Sequence, residues 1–234
     1  MIPLRDQNPS QSTPVVTRAL IVLNVVVFLY ELSLGPDLRD FMFAWGLIPA
    51  RLPVALGLGG DALARTGFTF VSSMFLHGGW MHLVGNMWYL WIFGDNVEDR
   101  FGSVRFLIFY LAAGVSASLL HVFFNSASSL PTLGASGAIA GVLGAYAVAF
   151  PGARVITLLP FFPFFQVVPL PALLVLGLWF VIQFFSGAVA VGYGGAAGGG
   201  VAWWAHIGGF LFGVLVAFAA GRPRRRRESF ARTE

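Results

Sequence analysis

The chain has no cysteine, which excludes disulfide staples, zinc held by thiolates and a thiol nucleophile, and leaves any covalent chemistry to another side chain. It has no lysine either: all fourteen basic residues are arginine. The four histidines, His77, His82, His121 and His206, are too scattered for an obvious metal cluster, and no His-Glu-x-x-His pattern occurs. Charge is the scarcest property. Only 10% of the 234 residues are charged and 57% are hydrophobic, whereas soluble domains carry ~25% charged residues. So few charges cannot cover a soluble protein of this size, so lipid must cover much of its surface.

In place of charge there is apolar sequence. Stretches at about 15–34, 79–94, 106–124, 134–150, 166–186 and 201–221 span or nearly span a bilayer, which takes ~20 residues per helix. The expected fold class is all-α: a polytopic membrane bundle of six helices. Residues 1–14 are expected to be a short polar N-terminal segment, 15–221 the membrane domain and 222–234 a basic tail. The first stretch lacks a small-residue cleavage site and reads as a retained helix. The run from Arg222 to Arg227 follows an apolar helix directly and reads as a cytoplasmic anchor, so the expected partners include the lipid bilayer and no nucleic acid.

Six spans put both termini on one face. With that face cytoplasmic, only Arg39, Arg51 and Arg65 lie outside, as the positive-inside rule asks. The expected location is a bacterial cytoplasmic membrane. Residues 35–78, with Pro36, Pro49 and Pro53, form the one long external connection and are expected to make short interfacial helices. The glycine-rich loop 192–200 is the last external connection and is expected to be mobile.

Polar residues inside spans are costly and therefore informative. Ser136 opens the fourth span, His82 and Asn86 lie near the start of the second, and His206 lies near the start of the sixth. Those three spans all enter from the external face, so these side chains share one depth, the outer third of the membrane. The string Gly134-Ala135-Ser136-Gly137 suits either close helix packing or a nucleophile with free helix-start amides beside it. Gly209 and Gly213 share a helical face with His206, and Gly137 and Gly141 make a matching groove behind Ser136, so the imidazole can approach the serine as a general base must. His82 and Asn86, four residues apart, point the same way and can serve as oxyanion donors. No acidic residue stands in the outer third of these spans, which favours a Ser–His dyad over a triad.

These residues together resemble the rhomboid family of intramembrane serine proteases. The resemblance is carried by His82-x-x-x-Asn86, Gly134-x-Ser136-Gly137 and Ala205-His206-x-x-Gly209 with Gly213, in that order on alternate spans, and covers roughly residues 15–221. It implies a six-helix bundle with a membrane-associated first loop, a cavity open to the external side, no cofactor, and substrates that are transmembrane proteins. It implies Ser136 as nucleophile, His206 as base, and Asn86, His82 and the Ser136 backbone amide as oxyanion donors. Gly134, Gly137, Gly209 and Gly213 support the site. The segment Phe75-Leu76-His77-Gly78-Gly79 resembles the family's entry to the second span, where His77 is expected to organise the loop rather than to catalyse.

Two positions depart from the family pattern. Phe68 and Thr69 stand where members often carry Trp-Arg, so the first loop is expected to be braced differently. Ala140 stands where some members stack an aromatic on the catalytic imidazole, which leaves open how His206 is held. A catalytically silent relative that binds membrane helices would lack the serine or the histidine, and both are here. A six-span transporter would need polar groups through both leaflets, yet the inner halves of spans two, four and six offer little beyond Tyr89 and Tyr146. The fifth span is expected to be a lateral gate, on the ground that few polar contacts would hold it shut.

Overall fold

Prolines and glycines punctuate an otherwise continuous apolar chain, and the helices run between them. A computed structural model describes residues 1–161, 164–192 and 202–221. Among these it forms nine α-helices: α1 (Val15–Ser33), α2 (Leu38–Trp45), α3 (Arg51–Leu58), α4 (Gly60–Ser72), α5 (Trp80–Phe101), α6 (Ser103–Phe124), α7 (Ser136–Ala149), α8 (Ala172–Gly192) and α9 (Trp203–Ala219). The tail from Arg222 and all but the first residue of the loop 192–200 lie outside the described residues.

Polar and apolar side chains are distributed inside out. Val22, Ile108, Phe185 and Leu215 face outward, whereas Asn24, Asn96, Glu98 and Gln183 are buried. That is the pattern of a protein dissolved in lipid, where polar groups must find partners within the protein. By length and hydropathy α1 and α6 suffice to cross a membrane, while α7 and α9 are apolar but shorter. At 1.5 Å per residue α7 measures only ~21 Å, against a ~30 Å hydrocarbon core. Residues Gly137 to Ala147 of α7 are all buried, so its neighbours, rather than lipid, surround it.

α5 runs seven residues beyond its expected end at 94. The extension is polar for a reason. The Glu98 carboxylate, 1% exposed, accepts the Val16 and Thr17 amides at 2.9 and 2.7 Å and the Ser103 hydroxyl at 2.6 Å. It thereby satisfies the open start of α1 and ties it to α6.

Two sequence expectations are corrected here. The fold is mostly helical rather than all-α, because β1 (Ile2–Asp6), β2 (Arg154–Phe161) and β3 (Phe164–Pro171) form an antiparallel sheet in the order β1-β2-β3. The helix expected from 166 accordingly starts at Ala172. Pro160, Pro169 and Pro171 cannot continue a helix, and the β-branched residues between them suit a hairpin. The N-terminal segment, expected to be merely polar, supplies the edge strand. It is held there by Trp88, whose indole N–H donates to the Pro3 carbonyl at 2.7 Å, and by the Tyr146 hydroxyl, which donates to Asp6 at 2.7 Å.

Burial pushes the Asp6 carboxyl up to about 6; nearby Asp95 acts in the same direction and the Tyr146 hydrogen bond opposes it. A carboxyl raised from its ordinary ~4 binds its proton more tightly folded than unfolded. Its contribution is therefore fully present below about pH 4 and is lost as pH rises through about 6. Hydrogen exchange in β1 is expected to be slower near pH 5 than near pH 7.5 once intrinsic rates are removed, and Asp6→Asn to abolish that difference. Equal corrected protection at both values would show that Asp6 is not the controlling group.

The first loop folds as short helices, α2 to α4. Its brace is aromatic: Tyr30 on α1 meets Phe41 at 5.5 Å, Phe41 meets Trp45 at 6.2 Å, and Trp45 meets Phe68 at 5.8 Å between ring centroids. Thr69 donates to the Thr66 carbonyl at 2.6 Å and is buried. Phe68 thus takes up the bracing by stacking, where an arginine would have used charge.

Candidate active site

Ser136 is the first residue of α7, where a helix amide has no intrahelical partner. The approach to it demands glycine. Gly134 has φ of 120°, its amide donates to the Ser73 carbonyl at 2.9 Å, and a Cβ there would stand 2.6 Å from His82 Nε2. An L side chain has neither the conformation nor the room.

α7 and α9 then pack backbone to backbone. A Cβ on Gly209 would overlap the Gly137 carbonyl oxygen, one on Gly213 that of Gly141, and one on Gly141 would come within 2.5 Å of the Ala113 Cβ on α6. Small residues make such an approach possible, and dispersion over the close interface stabilises it. Its product is at the N-terminal end of both helices: His206, one turn before Gly209, places Nε2 2.8 Å from Ser136 Oγ.

On the other side of Ser136, α5 presents Asn86 and His82. Asn86 is buried and its Nδ2 lies 3.0 Å from His77 Nε2. His77 sits in the turn ahead of α5, and burial, with His82 beside it, lowers its imidazole to about 4. It is neutral at pH 7, so its Nε2 can accept from the amide. One of the two Asn86 hydrogens is spent there and the other is free for a ligand. The His77 amide in turn donates to the Glu31 carboxylate at 3.2 and 3.3 Å. His82 Nδ1 accepts the Gly78 amide at 3.4 Å, which leaves its N–H on Nε2, the nitrogen directed at the loop before Ser136. Asn86 is thus supported from behind by a chain that begins at Glu31 on α1.

Gln183 went unnoticed in the sequence. Its Oε1 lies 2.6 Å from His206 Nδ1, and Trp179 and Trp203 place their rings 5.7 and 6.3 Å from the imidazole. Where an aromatic four residues after the serine would have stacked, Ala140 is fully buried against Gly209 instead. His206 is therefore held from α8 and α9. One buried polar contact joins α8 to the imidazole. What could have revealed it was a lone amide in an otherwise apolar span.

A cavity of about 450 Å³ opens onto this group, lined by His82, Asn86, Tyr89, Ser136, Trp179 and His206. It is flanked by α5 and α8. A larger hollow of about 620 Å³ lies within the first loop between α2, α3 and α4 and contains none of these side chains. Among the described residues no three His, Asp or Glu side chains converge as a metal site requires. His121 is occupied elsewhere, with Thr132 Oγ1 3.0 Å from its Nε2.

The family model of the Rhomboid domain matches residues 64–223. The chain belongs to the rhomboid family. It is 31% identical over 169 residues to the mitochondrial Rhomboid protein 1 of Saccharomyces cerevisiae, covering 68% of this chain and 44% of that one. It is 36% identical over 150 residues to the mitochondrial Presenilin-associated rhomboid-like protein A of Danio rerio, covering 62% of this chain and 35% of that protein. With Rhomboid protease GluP of Bacillus subtilis it shares 36% identity over 133 residues, 56% of this chain and 24% of the other. The chain thus spans less than half the length of each of these relatives. Rhomboid proteins are integral to the membrane, which agrees with the outward-facing apolar surface. The expected bacterial cytoplasmic membrane is not supported by relatives of which two carry mitochondrial names.

Proposed function

We propose that this rhomboid protein is an intramembrane serine endopeptidase that cleaves transmembrane segments of other membrane proteins near one face of the bilayer. The 2.8 Å contact between Ser136 Oγ and His206 Nε2 carries the reading. Ser136 attacks the scissile carbonyl carbon as His206 takes its proton, and the carbonyl oxygen becomes an oxyanion. Asn86, His82 and the Ser136 amide donate to it. His206 then returns the proton to the leaving amine, and a water molecule, deprotonated by the same imidazole, hydrolyses the acyl-enzyme. No step calls for a cofactor, and the Bacillus subtilis relative is named a protease.

α1 and α5 to α9 are the six spans, forming with the first loop a domain over residues 15–221. The short α7 is admitted because protein surrounds it. Both termini and the sheet lie on the cytoplasmic side and the cavity on the external side, as the arginine distribution asks. In liposomes the protein is expected to cut a single-span substrate near the outer end of its helix, with glycine or proline near the cut favouring it because the backbone must be extended. Asn86→Ala is expected to slow the reaction about 10- to 10³-fold without stopping it, as loss of one oxyanion donor does. An uncut substrate would defeat the proposal, and an unchanged rate in the variant would remove Asn86 from the site.

A further inference from the structure

We infer that Gln183 is the positioning residue of His206: its side-chain carbonyl selects the imidazole tautomer that can accept the Ser136 proton, which makes α8 part of the catalytic unit. This rests on the proposed roles of Ser136 and His206.

Gln183 is 7% exposed on a helix whose neighbours Ile182, Phe184 and Phe185 face outward. A buried amide in such a helix is costly unless it is paired. Its carbonyl oxygen meets His206 Nδ1 at 2.6 Å, while the Ser136 hydroxyl stands 2.8 Å from Nε2 on the other side of the ring. A neutral imidazole carries one N–H. To act as base toward Ser136 it must keep the lone pair on Nε2, so the hydrogen belongs on Nδ1, and there Gln183 accepts it. The alternative tautomer would donate from Nε2 to the serine oxygen and leave the hydroxyl proton without an acceptor.

An amide orients the ring without bringing a second charge to this depth, where an ionised carboxylate would be expensive. The other ionisable groups near enough to act on His206 electrostatically are His82 on α5 and His121 on α6, and neither lies against Nδ1. Trp179, four residues before Gln183 and on the same face of α8, packs beside the imidazole. The two α8 side chains thus do what the aromatic position occupied by Ala140 cannot.

The test compares wild type with Gln183→Met and Gln183→Glu, with Ser136→Ala as reference, in liposomes with a single-span substrate across a pH series. Thermal unfolding and the ¹⁵N spectrum of His206 are recorded in parallel. Gln183→Met keeps the length and loses the acceptor. Its kcat is expected to fall about 10²-fold, the low end of what general-base catalysis contributes, with KM little changed. Its His206 spectrum should pass from the Nδ1–H form to a mixture of tautomers. Gln183→Glu restores an acceptor and stabilises the imidazolium, so activity should return at high pH with the acidic limb of the kcat/KM profile moved to higher pH.

A wild-type kcat and spectrum in Gln183→Met, with Ser136→Ala inactive, would overturn the role of Gln183 alone. An equal loss in both Gln183 variants, accompanied by lowered unfolding temperature and an unshifted pH profile, would make the residue merely structural. Cleavage surviving in Ser136→Ala would instead overturn the reading of the nucleophile itself.

Discussion

Ser136→Ala is expected to abolish cleavage, at least ~10³-fold below wild type, and His206→Ala to do the same, with the double variant no slower than either. The two groups act as one unit: without the base the hydroxyl stays protonated, and without the hydroxyl the base has nothing to activate. Folding should survive both changes. Ser136→Ala removes one hydrogen bond, worth about 1 kcal/mol net, from a helix start whose packing is made by Gly137 and the residues beyond. Rates that multiplied in the double variant would show the residues working separately.

The second large effect is mechanical. Gly209→Ala places a Cβ where the Gly137 carbonyl oxygen lies, and because the obstacle is backbone the helices must separate. Overpacking of this kind costs about 1–3 kcal/mol, and moving His206 by ~1 Å from Ser136 can cost ~10²-fold in rate. Gly177→Ala on α8 is the control, since nothing lies within 4 Å of a Cβ there. Activity and unfolding temperature should both drop for Gly209→Ala and hold for Gly177→Ala. If both variants matched wild type, the close α7–α9 contact would not be what positions the imidazole.

The residues that meet at the cavity were legible in the sequence because each is a polar or glycine exception in an apolar span. The convergence of Ser136, His82, Asn86 and His206 followed from the direction in which their helices run. Helix starts at Val15, Trp80 and Ser136 fell within two residues of the expected boundaries, because prolines and glycines mark them. The sheet was hidden for a different reason. β2 and β3 are as apolar as a span, and β1 pairs with β2 across some 150 residues of chain, a distance no local pattern encodes. The C-terminal end of α5 was lost because its charges look like loop until Glu98 is seen capping α1. Gln183 was not legible because it belongs to none of the motifs around Ser136, His82, Asn86 and His206, and α8 meets His206 only in three dimensions. Glu31 was missed likewise, since it acts through the His77 main chain rather than on a reacting atom.

The central claim is that His206 makes Ser136 a nucleophile, and covalent labelling tests it without knowledge of any substrate. The purified protein is treated in liposomes with a fluorophosphonate, and the adduct is located by peptide mass spectrometry. A single adduct on Ser136, absent in His206→Ala although that variant stays folded, is the predicted result. Labelling of another residue, or undiminished labelling of Ser136 without His206, would contradict it.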